Sequence, residues 1–87
     1  MSDPGLFDVE PWREATAADL KVGDWIKGLG WPWSWKYVIR ARQFESGWVQ
    51  ITYADTPRGL MVGGYHGPSD TPVRIYNGTP PAEERAA

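Results

Sequence analysis

Between Leu20 and Tyr76 no apolar pattern runs longer than a short strand before glycine or proline interrupts it. That rules out a long amphipathic helix there and leaves period-two segments joined by turns. The runs are Val22–Lys27, Trp35–Arg42, Trp48–Tyr53, Leu60–Tyr65 and Val73–Tyr76. In the second, Trp35, Tyr37, Ile39 and Ala41 share one face, and Lys36, Val38, Arg40 and Arg42 the other. In the third, Val49, Ile51 and Tyr53 point inward while Trp48, Gln50 and Thr52 point out. Val73 and Ile75 are the inward residues of the last run. Such alternation belongs to antiparallel strands with one buried face. The breakers suit turns: Gln43 to Gly47, Asp55 to Gly59, and Gly67 to Asp70. Gly63-Gly64 reads as a bulge or bend inside the fourth run.

The expected fold class is all-β, a small five-stranded barrel with a short N-terminal turn or helix and flexible tails. An open sheet capped by the N-terminal helix is the alternative. Residues 1–15 read as an acidic arm, docked through Phe7 and Trp12, 16–78 as the barrel and 79–87 as a disordered tail. A helix from Pro11 to Leu20 is one reading of the entry into the body. A single turn at Thr16–Asp19 is the other, with Thr16 and Asp19 as a capping box.

An 87-residue chain buries a modest fraction of its surface. It has no cysteine, so neither disulfides nor thiolate zinc sites reinforce it. Six Trp, four Tyr and two Phe must supply the buried area. No basic-then-apolar leader and no membrane-length apolar stretch is present. The expectation is a cytoplasmic protein with no membrane association and no cofactor.

The motif Asp19-Leu20-Lys21-Val22-Gly23-Asp24-Trp25-Ile26 resembles the Leu-x-x-Gly-Asp-x-Val/Ile opening of SH3-like barrels, including KOW-type and Tudor-like domains. The resemblance implies that Leu20 packs under the barrel, Gly23 permits the turn and Ile26 begins the core. It covers eight residues, extends through strand spacing to residue 76, and assigns no functional residue. In style the chain is also similar to small bacteriophage and actinobacterial proteins, which implies a phage product acting on a host protein.

Function has to be sought in the leftover aromatic and basic side chains. Gly28-Leu29-Gly30-Trp31-Pro32-Trp33-Ser34-Trp35 places three Trp at alternate positions beside bendable glycines. If extended, the rings point one way and make an apolar ridge, unless they fold back to plug the core. Trp35 is expected in the core, with Trp31 or Trp33 accessible. Trp48 and Trp25 are expected on outward strand faces, or under the N-terminal arm. Together Trp25, Trp31, Trp33 and Trp48 form the candidate protein-binding set, because Trp is enriched at interface hot spots. Lys36, Arg40 and Arg42 form a basic stripe that Arg74 extends, the alternative nucleic-acid set. Residues 20–78 are net basic and the flanking segments acidic, within an overall charge of −2. A homodimer through the aromatic patches is a further possibility.

Catalysis has little support. There is no cysteine nucleophile, phosphate loop or metal-ligand spacing. His66, with Ser69 and Asp70 nearby, reads as an exposed turn histidine, and Asp24 and Asp55 as turn and strand-end residues. The chain is expected to be a binding module and not an enzyme.

Overall fold

The computed structural model describes residues 11–29 and 34–81. They form one open antiparallel sheet of six strands: β1 (Trp12–Thr16), β2 (Trp25–Lys27), β3 (Lys36–Gln43), β4 (Trp48–Ala54), β5 (Met61–Pro68) and β6 (Pro72–Tyr76). The spatial order is β1-β6-β2-β3-β4-β5, a meander from β2 to β5 with β6 returning beside β2. No helix among the described residues is long and apolar enough to cross a membrane.

The sheet has one strand more than the sequence predicts. β1 occupies the end of the expected arm, so pairing begins at Trp12, before residue 16. The cause is β6, whose second edge takes Trp12–Thr16 in register, Trp12 opposite Tyr76 and Thr16 opposite Pro72. The Asn77 N–H donates to the Pro11 carbonyl at 2.8 Å, and Arg13 donates to the Asn77 side-chain oxygen at 3.2 Å. At the other end the expected Thr16–Asp19 turn forms as one turn of 3-10 helix, Ala17–Asp19, in place of a longer helix from Pro11. The Asp19 carboxylate accepts hydrogen bonds from the Thr16 backbone N–H at 2.9 Å and the Thr16 hydroxyl at 3.1 Å. These bonds hold the Asp19 carboxyl below its ordinary value of 3.8.

The core lies on one side of the sheet. Ala17, Leu20, Ile26, Leu29, Val38, Val49, Ile51, Val73 and Ile75 are buried together, with Ala15, Ala41, Tyr53 and Tyr65 packed against them. Each fully buried Val, Leu or Ile contributes roughly 1.5–3 kcal/mol. The inward residues read from the third and fifth runs are all here. So are Leu20 and Ile26, and Gly23 turns with φ +102°. Val22 is exposed, because β2 starts only at Trp25. At the opposite end of the chain Pro80 is fully buried, so the body extends past residue 79. Residues 82–87 of the expected tail, and Phe7 of the arm, lie outside the described residues.

Two bulges set which side chains face the core. In β3, Val38 pairs with Tyr53 and Arg40 with Thr52, which leaves Ile39 as an extra residue. Before it the even-numbered Lys36 and Val38 take the core side; after it Ala41 does, and Arg40 and Arg42 turn outward. The second bulge falls at Val62, one residue before the expected glycines. Those glycines serve close packing instead. A Cβ on Gly63 would stand 2.8 Å from the Tyr53 ring, which therefore lies directly over that backbone. Burial pushes the Tyr53 hydroxyl above its ordinary value of 10.0.

On the sheet's other side β1, β6, β2 and the start of β3 carry a second aromatic group. Trp25 meets Tyr37 edge to face with centroids 5.1 Å apart, and Trp35 meets Tyr76 at 5.0 Å. Trp35 is buried as expected.

Candidate functional site

The β3–β4 hairpin builds the most exposed aromatic cluster among the described residues. Phe44 and Trp48 close it, the Phe44 N–H donating to the Trp48 carbonyl at 2.9 Å. The Gly47 N–H returns to the Phe44 carbonyl at 3.1 Å, and Gly47 sits at φ +87°, as a tight turn followed by a bulge requires. The Gly47 carbonyl then accepts from Ser69 N–H at 2.9 Å, and Gln43 Nε2 donates to the Ala18 carbonyl at 2.8 Å. The hairpin is thus anchored on both flanks.

With that register, three rows of side chains cross the outer face of β3, β4 and β5. Phe44 and Trp48 lie in one row with Pro68; Arg42, Gln50 and His66 form the next; Arg40, Thr52 and Gly64 form the third. Trp48 is 44% exposed and packs edge-on to His66, centroids 5.1 Å apart and planes at 86°. Phe44 reaches His66 at 5.7 Å, and the Arg42 guanidinium lies over Phe44 at 5.4 Å. Arg40, Arg42 and His66 are exposed, and neither arginine has an ion-pair partner among the described residues. Rings and guanidinium groups with no ion-pair partner among the described residues therefore share one patch, with the half-buried Gln50 and Thr52 between them.

The predicted residues divide. Trp48 stands where alternation puts it. Trp25 also takes the outward side of β2, but it is 3% exposed, because Tyr37 and its neighbours form an aromatic layer there. Trp31 and Trp33 lie outside the described residues. Of the basic stripe, only Arg40 and Arg42 share the face. The Ile39 bulge sends Lys36 to the opposite side, where Nζ donates to Asp55 Oδ1 at 2.7 Å and to the buried Ser34 hydroxyl at 2.8 Å. Arg74 is on β6, with β2 between it and β3, and lies 4.3 Å over the Trp12 ring.

His66 and Phe44 are the members that sequence reasoning missed. His66 is inside β5 and not in a turn, because the strand continues through Gly67 to Pro68. The Tyr65 ring folds back over Gly67, and its hydroxyl is within hydrogen-bond distance of the Pro68 carbonyl at 3.1 Å and of the Thr71 hydroxyl at 2.6 Å. Proline is tolerated at the end of an edge strand. The signal was the alternation Gly64, His66, Pro68 opposite Thr52, Gln50, Trp48. No family model, curated protein or solved structure matches the chain. The site is read from its own geometry. Among the described residues no three His, Cys, Asp or Glu side chains gather to hold a metal ion.

Proposed function

We propose that this chain is a non-catalytic binding module that recognises a protein partner through the outer face of β3, β4 and β5, with Trp48 at its centre. The observation that carries the reading is the solvent-exposed Trp48–His66–Phe44 cluster beside Arg42. Trp and Arg are the side chains that most often dominate interface energetics. Next to the face lies the apolar entry into β5, with Leu60 just before the strand and Met61 and Val62 at its start all exposed. Such a margin widens the surface a partner can cover and favours a protein over a polyanion. Trp31 and Trp33 belong to the same proposal as a second contact.

The finer fold proposal is an SH3-like arrangement. It is supported by the β2–β5 meander, the return of β6 to β2, and the burial of Leu20 and Ile26 around the Gly23 turn. A cytoplasmic setting remains part of the proposal, resting on the cysteine-free composition.

The test is capture of partners from a host lysate by wild-type protein, Trp48→Ala and Arg42→Ala side by side, with bound proteins quantified. A partner retained by wild type and lost from both folded variants supports the reading. Retention by both variants overturns it. Binding of single-stranded oligonucleotides at about 50 mM salt, weakening steeply as salt rises, would move the face to nucleic acid instead.

A further inference from the structure

A second site is written across β2, β6 and β1, separate from the Trp48 face. Lys27 of β2 is the register partner of Arg74 of β6, and Arg74 is in turn the partner of Glu14 of β1. Like charges directly opposite each other on antiparallel strands destabilise the pairing. Glu14 is the opposing charge across from Arg74, but neither cation forms a close ion pair among the described residues, where the one such pair is Lys36–Asp55. Each instead rests on an indole: Lys27 Nζ is 5.0 Å from the Trp35 ring centre, and Arg74 Cζ is 4.3 Å from that of Trp12.

The two cations border a cleft of about 340 Å³ lined by Glu14, Lys27, Gly28, Pro72, Val73 and Arg74. That is within the size range of small-molecule sites. Gly28 borders it in a left-handed conformation that favours glycine, φ +120°, and a Cβ there would be in ordinary contact with Val73 Cα at 3.6 Å. The lining is therefore apolar at Pro72 and cationic along one row, the Val73 side chain being buried in the core behind it.

We propose that this cleft binds a phosphate-bearing small molecule, with its dianionic group between Lys27 and Arg74. The guanidinium presents a planar fork that matches phosphate oxygens, and the ammonium adds a point charge beside it. The indole rings limit how far the two side chains swing, so the cations are already oriented when the anion arrives. Pro72 accepts the apolar body of the ligand. Glu14, on the far side of Arg74, repels a second anionic group and accepts a hydrogen bond from a ligand hydroxyl or amine. The ligand class is thus a single phosphate on a compact organic body.

The experiment titrates the full chain with phenyl phosphate, following the indole N–H resonances of all tryptophans and the amides of Gly28 and Val73 by NMR. Benzyl alcohol serves as the neutral control and sodium chloride as the ionic-strength control. Saturable shifts at Trp12, Trp35, Gly28 and Val73, with Trp48 unmoved, are the expected result. Lys27→Gln and Arg74→Gln should each weaken binding by about tenfold or more, and Lys27→Arg should keep it within about threefold. Arg74 is exposed, so its variant reports on binding even where Lys27→Gln disturbs the Trp35 packing. Absence of saturation by about 10 mM, equal shifts with chloride, or unchanged affinity in Arg74→Gln would each overturn the proposal.

Discussion

Trp48 and His66 meet edge to face on the solvent side of adjacent strands, their ring centres 5.1 Å apart. His66 holds the indole upright from one side while Phe44 supports the imidazole from the other. An exposed ring so supported presents a preorganised apolar surface, and ordering it costs a partner little on binding.

Trp48→Ala and Trp25→Ala should therefore behave oppositely. The first removes an exposed ring and should change unfolding free energy by about 1 kcal/mol or less. The second empties a buried position against Tyr37 and should cost about 3–5 kcal/mol. Urea denaturation followed by circular dichroism separates them. Equal losses would mean that Trp48 is structural.

Lys36→Ala should destabilise the protein by about 1–3 kcal/mol, because the buried Ser34 hydroxyl loses a partner together with the Asp55 ion pair. Arg40→Ala, on the outer face, should fall within about 0.5 kcal/mol of wild type. Partner capture should show the reverse ranking. A Lys36 variant of wild-type stability would remove the structural role given to that ammonium.

Asp19 supplies a pH dependence with a definite sign. Its carboxyl is depressed in the folded chain, chiefly by the Thr16 backbone N–H, then by the Thr16 hydroxyl. The unfolded form therefore binds the proton more readily, and the stabilisation is fully present above the ordinary value of 3.8. It is lost as pH falls below that value and through the folded one. Melting temperatures of wild type and Asp19→Asn should differ near neutral pH and converge in that acid window. A gap that does not change with pH would contradict this.

Two glycine substitutions test two different constraints. Gly63→Ala meets the Tyr53 ring and should cost about 1–3 kcal/mol through overpacking. Gly47→Ala meets nothing within 4 Å, yet its φ of +87° should still cost about 1–2 kcal/mol. Adding Tyr53→Leu should relieve the first variant only, which a double-mutant cycle measures.

Much of the fold was legible because alternation is a direct record of a half-buried strand. Val49, Ile51, Tyr53, Val73 and Ile75 are inside, and Trp48, Gln50 and Thr52 face out, as period two requires. The pattern failed where burial has another origin. Trp25 is covered by a second aromatic layer that no single-strand periodicity can reveal. β1 carries one small apolar residue on its core side, Ala15, and so resembles an arm until its partner is known. Lys36 was misplaced because no glycine marks the extra residue at Ile39. In the candidate site Trp48 was readable and His66 was not, since Gly67-Pro68 looks like the end of a strand.

That unmarked residue divides β3 into two half-strands with opposite handedness toward water. Were Ile39 drawn into the ladder opposite Thr52, every later side chain would change sides: the guanidinium groups of Arg40 and Arg42 would be driven toward hydrocarbon and Ala41 toward solvent. Among the described strands, β3 thus owes the solvent-facing placement of Arg40 and Arg42 to one residue that stays outside the pairing.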